Sequence, residues 1–150
     1  MRKKTIYLDV CSLCRPFDDQ SHERIRLEAE AVVAILARCE KGTYKFLLSD
    51  AVIYEIANMP DPIKRMKVEQ ILALADDIIS VDEKVAALAG KLEKQGIHGM
   101  DALHLASADR RCDVFITTDQ AILKKSGELS SILSLTIMNP MNFVAEEIYE

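Results

Sequence analysis

No stretch of these 150 residues stays apolar for anything near the ~18 that a membrane-crossing helix needs, so no membrane segment is expected. Repeats, low-complexity tracts and glycine/serine linkers are missing as well. Their absence excludes solenoids and strings of tethered modules, and it predicts one domain over residues 1–150. Positive charge is short: 19 Lys and Arg stand against 24 Asp and Glu, a net charge of −5. A protein that grips nucleic acid by surface charge alone needs a basic stripe, and none is present. That deficit weighs less against an enzyme whose metal ions bring their own positive charge. Paired cysteines are scarce too. The one CxxC, Cys11 to Cys14, has no second pair to complete a zinc site, and Cys39 and Cys112 are solitary. The opening "MRKKTIYLDV" turns from basic to apolar, but Asp9 interrupts it too soon for a secretory leader. A cytoplasmic protein with reduced thiols is expected.

What is present suffices for a core, since 49% of the residues are hydrophobic. Short apolar runs at 5–9, 45–48 ("KFLL"), 77–81 ("DIISV"), 113–117 ("DVFIT") and 133–138 ("LSLTIM") predict strands. Helical patterns separate them. The first, over 22–41, sets Leu27, Val32, Ile35, Leu36 and Cys39 on one side and stops at Gly42. "DAVIYEIANM" takes Ser49 or Asp50 as its cap and ends before Pro60. "DPIKRMKVEQILALA" carries Pro62 in its first turn, residues 82–95 close at Gly96, and "GMDALHLASADRR" follows as a separate helix. This alternation predicts an α/β fold with a parallel sheet covered on both faces. If the strand order is 3-2-1-4-5, the first and fourth strands are neighbours. Ligands of such folds bind beyond the carboxyl ends of the strands, where the order reverses.

Four acids sit where the surroundings look too apolar for a solvated charge. Asp9 ends the first strand, and Glu55 shares a helix face with Val52 and Ile56. Asp101 opens a helix in line with Leu105 and Ala108. Asp119 lies between the strand "VFITT" and the helix "QAILKK". Each has an ordinary use: Asp101 and Asp119 as helix caps, Asp9 as a turn former, Glu55 as a residue reaching solvent from a helix edge. Taken together they imply more, because the predicted order sets Asp9 and Asp119 face to face. Carboxylates gathered in one hollow repel one another unless a cation intervenes. Hard ions such as Mg²⁺ and Mn²⁺ favour such oxygen ligands and suit phosphoryl chemistry.

Rival chemistries fit less well. Cys11-Ser12-Leu13-Cys14 follows a strand as a thioredoxin-like site would, but its neighbours do not resemble a redox site. Small buried residues in a tight segment account for it. A haloacid-dehalogenase phosphatase needs a second Asp two residues after the first, where this chain has Cys11. Response-regulator receivers lack counterparts of Glu55 and Asp101. His98 and His104 flank Asp101 at a helix edge, where structural roles are expected, and His22 lies in a polar, exposed stretch.

The pieces "IYLDVCSLCRPFDD", "LSDAVIYEI", "GMDALHLASA" and "FITTDQAIL" together resemble the PIN-domain family, in particular its VapC-like toxin nucleases of toxin–antitoxin pairs. The resemblance spans most of the chain in the family's order. It implies a three-layer α/β/α sandwich, ribonuclease activity, and Asp9, Glu55, Asp101 and Asp119 around Mg²⁺ or Mn²⁺. Asp9, Asp101 and Asp119 would hold the ion, with Glu55 either a ligand through water or the base. Thr117 is implied as a hydroxyl steadying a ligand or touching phosphate. Where the family usually has Ser or Thr this chain has Cys11, which leaves Ser12 as a substitute. Arg15 would meet an RNA phosphate or else pair with Asp18 or Asp19. A small basic antitoxin and a homodimer are the implied partners. The alternatives are a catalytically silent PIN-like binding module and a housekeeping RNA-processing nuclease.

Overall fold

The computed structural model describes residues 2–149. Its centre is a five-stranded, all-parallel sheet in the order β3-β2-β1-β4-β5, formed by β1 (Thr5–Leu8), β2 (Lys45–Ser49), β3 (Asp77–Ile79), β4 (Val114–Ile116) and β5 (Thr136–Met138). Helices cover both faces, giving the three-layer α/β/α sandwich that the alternation predicts. Between β1 and β2 run α1 (Val10–Cys14), a 3-10 turn (Arg15–Phe17) and α2 (Glu23–Glu40). Then come α3 (Asp50–Ala57) and α4 (Pro62–Leu72) before β3, and α5 (Glu83–Lys94) and α6 (Gly99–Arg111) before β4. The chain closes with α7 (Gln120–Lys124), α8 (Ser126–Leu129), β5 and α9 (Pro140–Glu147).

The central strand β1 is buried from end to end, which is why it reads as a continuous apolar run rather than an alternating one. Its Tyr7 pairs with Phe115 of β4, and the two rings stack at 5.4 Å. At the opposite edge of the core Tyr44 meets Phe143 of α9 edge-on, at 5.2 Å between centroids. Right-handed crossovers explain the layering: the chain steps from β1 to β2 to β3, then jumps back to β4, which puts α6 on the face opposite α2, while α9 returns to pack against α2. That reversal leaves β1 beside β4.

Several elements are shorter than expected. β1 stops at Leu8 because Asp9 turns out of the strand to cap α1. Residues 133–135 are a turn, not strand, since the amides of Ser134 and Leu135 are bound by the Asp109 carboxylate. Asp61 and Asp82 are caps rather than helical residues, and Pro62 takes the first turn of α4 as expected. Gly42 and Gly96 end their helices with φ of 83° and 91°, a region other residues rarely enter. The sequence reading missed α9. Its signals are an Asn139 cap, Pro140 in the first turn, and one apolar side chain, Phe143, driven fully into the core.

Candidate functional site

Asp9 follows β1 and Thr117 follows β4, so the two meet where the strand order reverses. Asp9 is 2% exposed. One of its oxygens, Oδ1, accepts from the Ser12 amide (3.0 Å) and the other, Oδ2, accepts from the Thr117 hydroxyl (2.5 Å). Burial raises its pKa to about 6, although the hydrogen bonds from Thr117 and Ser12 and the nearby His104 pull the other way. The Thr117 oxygen in turn accepts from the Asp119 amide, at 3.0 Å. One hydroxyl therefore fixes Asp9 and the start of α7 relative to each other. Ser12 is fully buried, and its hydroxyl donates to the Ile116 carbonyl at 3.1 Å, so it ties α1 to β4.

Asp119 does cap α7, accepting from Ala121 and Ile122 at 2.8 and 3.2 Å. Asp101 does not cap. It stands in the first turn of α6, half-buried, and among the described residues its carboxylate accepts no hydrogen bond. Its pKa is raised first by burial and then by the charges of Asp119 and Glu55, against the pull of His104 and His98. Glu55, half-buried on α3, accepts from His104 Nε2 at 2.7 Å.

Cys11 links all four. It reaches the surface, yet protein atoms crowd its sulfur. That burial, followed by the charges of Asp9, Asp119, Asp101 and Glu55, pushes the thiol up to about 12. Cys14 is buried and pushed up to about 11. A redox pair needs a low-pKa thiolate, and both thiols are shifted the opposite way. Cys11→Ser is expected to leave activity within about twofold, since a thiol kept protonated is neither nucleophile nor ligand. A loss above tenfold in a cleavage assay would bring the sulfur back into the chemistry.

The four acids thus share one electrostatic neighbourhood at the carboxyl end of the sheet. They do not form a closed cage: among the described residues, no three His, Cys, Asp or Glu side chains stand close enough to hold one ion as they are. Each of three is held by its own partners, Asp9 by Ser12 and Thr117, Asp119 by the α7 amides, Glu55 by His104. The donor set is carboxylate oxygen, with the one nearby sulfur protonated, so it fits a hard divalent ion rather than zinc. Such ions keep several waters and need only one or two carboxylates directly.

Arg15 lies elsewhere. Its guanidinium binds Asp18 (3.1 Å) and Glu28 (2.9 Å), and Asp19 takes no part. Its Nε and Nη1 donors are engaged within the fold, which favours the ion-pair alternative over a phosphate contact. His22 and His98 are exposed, as caps of α2 and α6. His104 has a structural role, as expected, but from the interior rather than from a helix edge: it is 1% exposed and holds Glu55. Its place three residues after Asp101 on the same helix was the available signal.

The family model described as PIN domain matches residues 6–128. No curated protein sequence matches the chain. Among solved structures the fold is similar to VapBC2 from Rickettsia felis, crystallised bound to a DNA fragment from their promoter. The two share 17% identity with a TM-score of 0.57, over 89% of this chain and 98% of that one. At that identity the likeness speaks for the fold.

Proposed function

The chain belongs to the PIN-domain family, and from that premise we propose that it is a divalent-metal-dependent endoribonuclease, the toxin of a toxin–antitoxin pair. PIN domains are generally nucleases. The observation that carries the reading is Asp101, a half-buried carboxylate that accepts no hydrogen bond among the described residues, its proton affinity raised by burial and then by two other carboxylates. A cation is what relieves that arrangement.

Asp9, Asp101 and Asp119 would hold Mg²⁺ or Mn²⁺, with Glu55 as a ligand through water or as the base. When bound, the ion supplies positive charge at the scissile phosphate and makes an attacking water more acidic. Thr117 keeps Asp9 and the start of α7 in fixed relation. Glu55, with a side chain 38% exposed, stays within reach of water while His104 restrains it. In hydrolysis water would attack phosphorus and the bond to one ribose oxygen would break, that oxygen leaving with a proton from solvent; in the role of base, Glu55 would take the attacking water's proton.

The likeness to VapBC2 and the net charge of −5 support a small basic antitoxin whose Arg or Lys enters the acidic cleft. A homodimer, a single domain and a cytoplasmic location belong to the same reading. No described helix is long and apolar enough to cross a membrane. A second reading, a silent binding module, is favoured by the want of a ready-made ion cage among the described residues.

Cleavage of structured RNA in Mn²⁺ against chelator, comparing wild type with Asp101→Asn, separates the two readings. Cleavage by wild type with Mn²⁺ alone is expected. In parallel, ion at about a hundred times its Kd stabilises the wild type by about 2.7 kcal/mol, which is several degrees of melting temperature, and Asp101→Asn far less. No cleavage and no melting shift would leave the binding module.

A further inference from the structure

Glu55 does not hang alone on α3. A line of buried hydrogen bonds reaches it from the centre of the sheet: Ser49 at the end of β2, Tyr7 in β1, and His104 in α6, exposed by 0%, 0% and 1%. Ser49 Oγ and Tyr7 Oη are 2.7 Å apart, as are Tyr7 Oη and His104 Nδ1, and His104 Nε2 and Glu55 Oε1.

The direction of these bonds follows from counting protons. Ser49 Oγ already accepts from the amides of Ala51 (3.2 Å) and Val52 (3.4 Å), so its remaining link to Tyr7 is its own proton. The Tyr7 hydroxyl carries a single proton, and with Ser49 donating to its oxygen that proton goes to His104 Nδ1. With Nδ1 accepting, the ring proton sits on Nε2 and faces the carboxylate of Glu55. The reverse direction fails twice. It turns the bare Nε2 of a neutral ring toward a carboxylate, and it leaves the Ser49 proton with no acceptor. A doubly protonated ring mends the first fault but not the second.

We propose that Ser49, Tyr7 and His104 are positioning residues for Glu55, a relay that fixes the imidazole as an Nε2–H donor and thereby holds Oε1 while Oε2 stays free of it. The proposal rests on the nuclease reading for its catalytic consequence. It needs nothing of Tyr7 or His104 beyond orientation, since both side chains are buried. Ser49 serves twice, because the same hydroxyl that ends the relay caps the helix carrying Glu55.

The test has two arms. In RNA cleavage, His104→Ala lowers kcat about 10–100-fold and Tyr7→Phe about 3–10-fold, with KM unchanged, because orientation of Glu55 is lost and RNA binding is not. His104→Gln, whose amide offers a donor and an acceptor at similar spacing, recovers most of the rate. In the second arm, ¹⁵N NMR of the metal-free protein finds the His104 proton on Nε2 with Nδ1 bare, and in Tyr7→Phe that preference is weakened. A wild-type proton on Nδ1, a loss confined to KM, or undiminished kcat in Tyr7→Phe overturns the relay. A wild type that cleaves no RNA sinks the nuclease reading instead, while the NMR arm still decides the geometry. If His104→Ala does not fold, as its melting curve will tell, Tyr7→Phe and His104→Gln decide.

Discussion

Asp9→Asn is expected to abolish RNA cleavage and, in chelator near neutral pH, to leave the protein more stable by about 1–2 kcal/mol. The sign comes from the native pKa of about 6 against an ordinary 3.8, with burial as the main cause. The native state holds this proton more tightly than the unfolded chain does. Its contribution to stability is therefore complete below 3.8 and lost as pH rises through about 6. At neutral pH the ionised carboxylate is a buried charge facing two neutral donors, Ser12 N–H and Thr117 O–H. The full span from 3.8 to about 6 corresponds to ~3 kcal/mol. Asn keeps the acceptor for Ser12 but loses the one for Thr117, which returns about 1 kcal/mol. Thermal melts of both proteins at pH 8 and pH 4.5 check it. The gap is largest at pH 8, worth about 2–8 °C in melting temperature, and closes toward pH 4.5. Destabilisation of about 2 kcal/mol at pH 8 would instead mark Asp9 as a structural acceptor.

Much of the fold was legible because parallel strands buried on both faces leave an apolar run that local sequence cannot disguise. The order β3-β2-β1-β4-β5 is the one supposed from the α/β alternation rather than derived from it, and the meeting of Asp9 with the end of β4 follows from that order. Thr117 came into view only through the family resemblance, as a hydroxyl two residues before the last acid. The relay was not legible. Tyr7 and Ser49 are 42 residues apart and Tyr7 and His104 are 97 apart, joined only by lateral strand pairing and the docking of α6. A Tyr inside "IYL" reads as core, which it also is. Arg15 shows the limit of local inference from the other side. Asp18, three residues on, was foreseeable as its partner, whereas Glu28 is brought there by the packing of α2 against the 3-10 turn.

Glu28→Ala is expected to lower stability by about 3–5 kcal/mol, the opposite of Asp9→Asn, although both acids are buried. Glu28 is 0% exposed on α2. Its Oε1 accepts from Arg15 Nε at 2.9 Å, and Oε2 from Arg24 Nε at 3.4 Å and Asn139 Nδ2 at 2.8 Å. Two cations and an amide offset the loss of water that two neutral donors leave uncompensated at Asp9. The cluster also joins three parts of the fold, because Asn139 caps α9 and Arg15 begins the 3-10 turn. Removing the carboxylate strands the Asn139 amide, itself 6% exposed, and opens a cavity beside it. Glu28→Gln keeps the volume but sets an NH₂ against donors, for a loss of about 1–3 kcal/mol. Denaturant midpoints should fall in that order with unchanged slopes, and RNA cleavage well below the melting temperature should survive in both variants. A change within about 0.5 kcal/mol for Glu28→Ala would mean that Arg15, Arg24 and Asn139 find water or each other as readily as they find the acid.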